Sequence, residues 1–393
     1  MMNSQQTPNL QYSNLAPTII MAPSGNKNAI KILLGIAAAL AALLLGLLVL
    51  VLIGFETGPI ALLVGLLSAT IPVPLYLLLV LWIDRYESEP LWMLATAFFW
   101  GALVAVFFAF LLNTASGLTI AAITDSLKAA ETFAAVISAP IVEESAKALI
   151  LFIFFFWKKD EFDGVIDGIV YAAMVGLGFA MTENIQYYGR AVLENGGGGL
   201  TAVFIIRGTL APFSHPLFTS MTGIGLGLAR QSRNTIVKFV TPVVGFVAAI
   251  CMHSIWNGSA AIFGGAVFLL TYLLIMVPAF FIMLVVIFLA LRREGQIVRE
   301  FLLPDFQGGL LSPQEYNQFC TIRGRLGASF NAFSRGGVAH WRACRQFNQM
   351  ASELAFHRSR VARGIFTNEQ AAREREASYL QILQELLGRL RAT

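Results

Sequence analysis

Long apolar stretches alternate with short polar segments along most of this 393-residue chain. About eight of the stretches reach roughly 20 residues, the length that an α-helix needs to cross ~30 Å of hydrocarbon. They cover residues 32–54, 58–82, 90–112, 132–157, 164–188, 200–229, 238–262 and 266–291. The pattern therefore predicts an all-α, polytopic integral membrane protein with about eight transmembrane helices. Residues 113–131 are less regular and fit a short interfacial helix.

The composition agrees with this fold class, since 57% of the residues are hydrophobic and only 13% are charged. Soluble domains usually have about a quarter of their residues charged. Lys and Arg are frequent before the first predicted span, in the even-numbered loops and after the last span, and scarce in the odd-numbered loops. The positive-inside rule then predicts that both termini are cytoplasmic. We expect a multi-pass protein of a prokaryotic cytoplasmic membrane, with the lipid bilayer and not nucleic acid as its surroundings.

Two polar regions flank the predicted spans of residues 32–292. Residues 1–31 are expected to be a cytoplasmic segment rather than a secretory signal, and residues 293–393 are polar and Arg-rich. The second region has helix starts at Ser312 and Thr367, and the helix after Thr367 has an apolar stripe of helical period. We expect a small helical cytoplasmic region or an interaction tail that binds a protein partner, and we expect its two histidines to lie on the surface.

Ionisable residues interrupt four of the predicted spans. Glu143 and Glu144 are adjacent in one span, and Glu183, His215 and His253 follow in the next three. A charged side chain at bilayer depth costs at least a few kcal/mol, so such residues indicate function. Counted from the predicted cytoplasmic ends at ~1.5 Å per residue, these groups lie at depths that agree within a turn or two. We therefore predict one shared polar site in the outer half of the membrane.

The residue types at this site are suited to hydrolysis. Imidazoles and carboxylates are ligands of Zn²⁺, which in catalytic sites keeps one position open for water. Glu183, His215 and His253 are the candidate metal ligands. Without metal, a glutamate and a histidine could activate water directly. The sequence leaves both routes open, together with the alternative that each polar group only joins two helices by hydrogen bonds.

Three further polar residues are candidates for contacting substrate or stabilising an oxyanion. Lys147 follows Glu143 by four residues and therefore shares its helix face, where it is expected to pair with an acid. Arg207 is expected to pair with Glu183 or a carbonyl, and Asn257 follows His253 by four residues. Pro140, one turn before the two acids, is predicted to disturb the helix and to free backbone carbonyls.

These residues belong to motifs that resemble those of the PrsW family of intramembrane proteases. The matching pieces are EESAK from Glu143, FAMTEN ending at Asn184, His215 in the sixth predicted span, and HSIWN from His253. The loop DRYESEP, which begins at Asp84, is also similar. Their order in successive spans makes the set specific, and the resemblance covers roughly residues 60–290. The family is placed in the CPBP superfamily, which also contains the type II CAAX prenyl proteases.

The resemblance implies a membrane-embedded endopeptidase that cleaves membrane-anchored proteins, such as an anti-sigma factor. Its catalytic residues would be Glu143, Glu144, Glu183, His215 and His253. The second motif has Glu183 where the prenyl-protease branch has His, which favours the PrsW branch.

Two other functions compete with this interpretation. A proton-coupled carrier also uses buried Glu and His, although we find no convincing internal repeat of the kind that transporters often have. A scaffold-like homologue would bind without cleaving, but the acids and histidines are intact. Other intramembrane protease classes fit worse, because HExxH and GxGD are missing and the nearest approach to GxSG is residues 114–117.

Overall fold

A computed structural model describes residues 25–364 and 368–391, with side chains described from Ile30 onward. These residues are almost entirely helical and contain no strand, which confirms the predicted all-α class. The predicted helix start at Thr367 lies outside the described residues. The described residues up to Ala41 form a unit of their own, and the side chains of residues 30–41 are exposed.

The α-helices of the described residues follow one another with short connections. The first eight are α1 (Gly25–Thr57), α2 (Pro59–Thr70), α3 (Val73–Ile83), α4 (Leu91–Phe99), α5 (Val106–Thr124), α6 (Leu127–Phe133), α7 (Ala139–Trp157) and α8 (Val165–Phe204). The others are α9 (Ser214–Gln231), α10 (Thr235–Gly258), α11 (Gly265–Thr271), α12 (Val277–Phe301), α13 (Leu303–Gln307), α14 (Pro313–Phe319), α15 (Ile322–Ala362) and α16 (Glu369–Arg391). Five π-helical segments join some of them: π1 (Trp100–Ala105), π2 (Ala134–Ser138), π3 (Ile205–Leu210), π4 (Ser259–Phe263) and π5 (Tyr272–Met276).

Six helical stretches among the described residues are long and apolar enough to cross a membrane. They are Ile30–Thr57, Pro59–Ile83, Leu91–Thr124, Val165–Gln231, Thr235–Phe263 and Gly265–Phe301. The fourth stretch is 67 residues long and contains two predicted spans, 164–188 and 200–229. The predicted span 132–157 is not among the six, since Glu143, Glu144 and Lys147 interrupt its apolar sequence. The protein is thus a multi-pass membrane protein, and the count of eight spans stays a prediction.

The third stretch is longer than its predicted span, which ends at residue 112. The helix continues through α5 to Thr124 and stops where Asp125 adopts a left-handed conformation with φ of 50°. Asn113 and Ser116, two polar residues beyond the predicted end, are hydrogen-bonded to Ser138 of π2, so the helix carries them without breaking.

Glycines bring α8 and α9 together at the centre of the bundle. A Cβ atom added at Gly176 of α8 would lie 2.6 Å from the backbone nitrogen of Pro216. At Gly223 or Gly227 it would collide with the backbone around the start of α8, and at Gly225 with that of α10. The three glycines of α9 thus permit close packing against α8 and α10. The close approach at Gly176 places His215, the neighbour of Pro216, beside α8.

The C-terminal helices pack back onto the loops at one end of the bundle. Arg360 of α15 donates hydrogen bonds to Glu87 at 2.7 Å and to the carbonyl oxygen of Asp160 at 2.6 Å. Arg363 donates to Asp163 at 2.9 Å. We call Asp84, Glu87, Asp163, Arg360 and Arg363 the end cluster.

One prediction about this region is wrong. His357 is fully buried in α15, where its Nε2 lies 2.9 Å from the carbonyl oxygen of Ala372, rather than on the surface. The helix α15 packs against α16, and the apolar stripe of α16 indicates packing but not which helix it meets, so the burial of His357 could not be predicted. The other histidine of the region, His340, is half-buried.

Candidate functional site

The predicted disturbance at Pro140 takes the form of the π-helical segment π2. The N–H of Ala139 bonds to the carbonyl five residues back, at Ala134. In that register the next carbonyl, at Ala135, would accept from residue 140, but proline has no N–H to donate. The free carbonyl of Ala135 instead accepts a hydrogen bond of 3.0 Å from Nδ2 of Asn257 on α10. The segment before the two adjacent acids is therefore held by a side chain from another helix.

Lys147 is the central cation of the site. Its Nζ lies 2.9 Å from Oε1 of Glu144 and 3.4 Å from Oε2 of Glu143. It also lies 3.0 Å from Nδ1 of His215 and 3.8 Å from the centre of the Phe179 ring. The side chain is 0% exposed, so its charge is balanced entirely by these neighbours. The predicted pairing with the acids is present, and the contact with His215 adds a group from α9.

Glu144 and His253 form the innermost pair. Nδ1 of His253 donates to Oε1 of Glu144 at 3.0 Å, since a carboxylate can only accept. The other oxygen of Glu144 accepts from the hydroxyl of Thr219 at 2.9 Å. Nε2 of His253 is turned toward Oε2 of Glu143, 3.8 Å away. Glu144 is thus fixed through both oxygens, whereas Glu143 is held more loosely.

Glu183 extends the network toward α9 and π3. Its carboxylate accepts from Nε2 of His215 at 2.9 Å and pairs with the guanidinium of Arg207. Arg207 also donates to Oδ1 of Asn184 at 2.6 Å and stacks on the ring of Tyr187. The expected pairing of Arg207 with Glu183 is therefore present.

The five predicted catalytic residues are joined in one network, with Lys147 at its centre and Arg207 at its edge. Asn257 is outside this network, because its amide is bonded to Ala135, although it lies on the wall of the same cavity. The cavity has a volume of about 1010 Å³. Its polar wall includes Asn113, Glu143, Glu183, Arg207 and Asn257, and apolar side chains from several helices form the rest.

The groups that could hold a metal differ in one member from the predicted set. Among the described residues, Glu143, His215 and His253 offer donor atoms that all lie within 4.8 Å of one another. Glu183, the predicted ligand, is directed to His215 and Arg207 instead.

The donor chemistry of these three residues fits Zn²⁺. His253 is oriented by Glu144 through Nδ1, the arrangement in which a carboxylate fixes a metal-binding imidazole. Both nitrogens of His215, however, are engaged, one with Lys147 and one with Glu183. Metal binding through His215 would therefore require one of these two contacts to open.

Two polar groups that touch the acids were missed by sequence reasoning. Thr219 follows His215 by four residues and so lies on the same helix face, a signal that was available in SHPLFT. Asn113, whose Nδ2 lies 3.5 Å from Oε1 of Glu143, had no such signal, because it falls beyond the predicted end of the third span.

Comparison with known proteins agrees with the resemblance of the motifs. Residues 89–283 match the sequence profile described as PrsW family intramembrane metalloprotease. Protease PrsW of Geobacillus kaustophilus (strain HTA426) is 37% identical over 149 residues, which span 37% of this chain and 58% of that protein. Protease PrsW of Oceanobacillus iheyensis is 31% identical over 194 residues, 49% of this chain and 81% of that protein. Protease PrsW of Bacillus subtilis (strain 168) is 32% identical over 162 residues, 40% of this chain and 66% of that protein. No solved structure matches significantly.

Proposed function

Because this chain belongs to the PrsW family of intramembrane metalloproteases, we propose that it is an endopeptidase that hydrolyses membrane-anchored protein substrates. One observation carries the proposal. Glu143, a buried carboxylate beside an ammonium and two imidazoles, lies on the wall of a cavity of about 1010 Å³. A cavity of this size can admit a short stretch of unwound polypeptide together with water.

The two adjacent acids have different roles in this proposal. Glu143 lines the cavity and is the general base that takes a proton from the attacking water. Glu144 is fixed by Lys147, Thr219 and His253, and it orients the imidazole of His253 toward Glu143. Lys147 lowers the cost of burying both carboxylates.

His215 and Glu183 complete the site from the neighbouring helices. His215 contacts both Glu183 and Lys147, so it fixes the position of Glu183 relative to the two adjacent acids. Arg207 and Asn257 lie on the cavity wall, where an N–H of either is suited to bind a substrate carbonyl. For Asn257 this would require its hydrogen bond with Ala135 to be shared.

In the alternative route with a divalent metal, Zn²⁺ by its donor preference, the metal would be held by Glu143, His215 and His253, and Glu143 would then be a ligand instead of the base. The metal would supply a Lewis acid that makes bound water acidic. Metal content of the purified protein and of its His253→Ala variant tests this part. Equal content in both proteins would contradict the ligand assignment.

The wider setting is also part of the proposal. We propose eight spans from the length of the apolar stretches, and cytoplasmic termini with a cytoplasmic region after residue 292 from the distribution of Lys and Arg. Reporter fusions at Gly197 and at the C-terminus should then give opposite sides of the membrane. The resemblance also implies membership in the CPBP superfamily and an anti-sigma-factor substrate. The C-terminal region is expected to bind a protein partner.

The proposal is tested with Glu143→Gln, which keeps the shape of the side chain but removes its basicity. The protein is reconstituted with membrane vesicles of its host, and released peptides are counted by mass spectrometry. We expect release to fall at least ~100-fold, the usual contribution of a positioned base. Glu131→Gln is the matched control, because Glu131 lies on the rim of the same cavity but is exposed.

Two outcomes would contradict the assignment. Release at the wild-type rate by the Glu143→Gln variant would exclude Glu143 as the base. Loss of proton-coupled solute uptake in the same variant, without any cleavage by the wild type, would favour a carrier.

A further inference from the structure

Asn113 on α5 lies beside Glu143 but belongs to none of the motifs that indicated the site. It is half-buried and forms part of the cavity wall. Its Nδ2 lies 3.5 Å from Oε1 of Glu143, and its Oδ1 lies 2.9 Å from the hydroxyl of Ser138 on π2. The hydroxyl of Ser116 lies 2.7 Å from that of Ser138. Ser116 is the serine of residues 114–117, the segment nearest to a GxSG motif.

The chemistry of these groups fixes the direction of the hydrogen bonds. An amide oxygen can only accept, so Ser138 must donate its single hydroxyl hydrogen to Asn113. Ser116 has two acceptors within reach, the hydroxyl of Ser138 at 2.7 Å and the carbonyl oxygen of Asn113 at 3.0 Å, and its one hydrogen can serve either. The amide nitrogen of Asn113 is left facing the carboxylate, where it donates to Oε1 of Glu143. The hydrogen bonds therefore run in one direction from Ser138 through Asn113 to Glu143.

The other asparagine on the cavity wall is used differently. Asn257 donates to the carbonyl that Pro140 leaves free, so its amide fastens α10 to π2. Asn113 instead presents its amide to the acid. Within the described residues it is the hydrogen-bond donor to Oε1 of Glu143, while Oε2 faces Lys147 and His253 at 3.4 and 3.8 Å.

Glu143 needs such a donor more than Glu144 does. Both oxygens of Glu144 have partners at 2.9–3.0 Å, but the contacts of Glu143 are all 3.4 Å or longer. The terminal torsion of a glutamate is broad, so a loosely held carboxylate can turn its lone pairs away from a substrate water. Hydrogen bonds of catalytic groups are often long before substrate binds and shorten in the complex.

We propose that Asn113, oriented by Ser138, is a positioning residue that holds the carboxylate of Glu143 in the orientation required for water activation. The inference rests on the proposed role of Glu143 as the base. It assigns a function to Asn113 of α5. It also gives a role to Ser138, which is hydrogen-bonded to Asn113, and to Ser116, which is hydrogen-bonded to Ser138.

The test compares two substitutions of Asn113, one that replaces only its amide nitrogen and one that removes the whole amide group. Asn113→Asp keeps the size and the acceptor for Ser138, but turns an oxygen instead of an N–H toward Glu143. Asn113→Ala removes both bonds. We expect kcat to fall ~10- to 100-fold in Asn113→Ala and at least as far in Asn113→Asp, with little change in KM. The matched control is Thr119→Ala, an exposed polar position on the same helix.

A purely structural role of Asn113 predicts another result. If the residue only joined α5 to π2 through Ser138, Asn113→Asp would retain the wild-type kcat, and that result would overturn the proposal. Ser138→Ala provides a second route, which does not depend on replacing Asn113. It should lower kcat less than Asn113→Ala does, and the double variant should be no worse than Asn113→Ala alone. Additive losses would show that the two residues act separately.

The failure of this inference is distinguishable from that of the proposed function. A Glu143→Gln variant with the wild-type rate removes the base and with it any role in positioning. An inactive Glu143→Gln variant beside a fully active Asn113→Asp variant leaves the base in place and excludes Asn113. Melting temperatures of all variants, measured in the same detergent, show whether each protein is folded.

Discussion

We compare two clusters of buried charged side chains among the described residues, of which one has the features of an active site. The site cluster contains Glu143, Glu144, Lys147, His215 and His253. The end cluster joins the C-terminal helices to the loops at one end of the bundle. Arg360, at its centre, is 3% exposed and lies 2.7 Å from Glu87, as tightly buried and paired as Lys147 in the site cluster. Burial of charge alone therefore does not identify a catalytic site.

The partners of the acids differ between the two clusters. In the end cluster Glu87 and Asp163 meet guanidinium groups, which stay protonated and bind carboxylates in a fixed geometry. In the site cluster the acids meet imidazoles, whose nitrogens can donate or accept hydrogen bonds or bind a metal. Glu143 also lines a large cavity, whereas Arg360 packs against Glu87 and the backbone of Asp160. Imidazole partners beside a cavity distinguish the site from a structural ionic contact.

The acids of the end cluster are only partly neutralised. Burial raises the pKa of Asp84 to about 7, and the N–H of Glu89 opposes this by donating to its carboxylate at 2.9 Å. Burial also raises the pKa of Glu87 well above its usual value, although Arg360 lowers it. The end cluster thus joins the C-terminal helices to the loops, although burial raises the pKa of two of its carboxyl groups.

The largest difference between the clusters should appear when the central cation of each is replaced by methionine. Lys147→Met removes the partner shared by Glu143, Glu144 and His215, so the acids lose their orientation. We expect cleavage to fall at least ~100-fold, and unfolding to become easier by ~3–5 kcal/mol, as when one partner of a buried pair is lost. Peptide release and melting temperature measure the two effects. A Lys147→Met protein with wild-type cleavage would remove the proposed centre of the site.

The sequence was sufficient to predict the site but not the end cluster. Isolated ionisable residues in apolar spans stand out, and their similar depth shows that they can meet. Arg360 and Glu87 are 273 residues apart and lie in regions where charged residues are ordinary, so nothing in the pattern couples them. The same limit applies to the metal ligands. Counted depth brings all of these residues to a similar level, but only side-chain geometry shows that Glu143 offers an oxygen within 4.8 Å of donor atoms of both histidines. Glu183 lies 2.9 Å from His215 and pairs with Arg207 instead.

The second comparison replaces Arg360, the central cation of the end cluster, by methionine. This change leaves Glu87 without its guanidinium partner, while Asp163 keeps Arg363, so the protein should unfold more easily by about 2–3 kcal/mol. Glu87 can take up a proton, which limits the loss. The folded protein should keep its wild-type kcat, because the end cluster has no part in the chemistry. A loss of kcat as deep as that of Lys147→Met would abolish the distinction between the clusters, and a partial rescue by Arg360→Glu with Glu87→Arg would confirm the pair.

The smallest effect is expected from Asp84→Asn, and it should depend on pH. The folded-state pKa of about 7 is above the usual value of 3.8, so between these limits the folded protein holds a proton that the unfolded chain has released. Stability should therefore fall as pH rises from about 4 to 7 and level off above that. Asparagine does not titrate, and it can keep accepting from the N–H of Glu89. The variant should melt a few degrees higher than the wild type at pH 8 and show no such gain at pH 4.5.

The matched control Glu369→Gln, at an exposed position on α16, should follow the wild-type profile throughout. Parallel melting profiles of Asp84→Asn and wild type would mean that the pKa of Asp84 is not raised in the folded protein, which would contradict the buried, partly neutralised acid assigned to the end cluster.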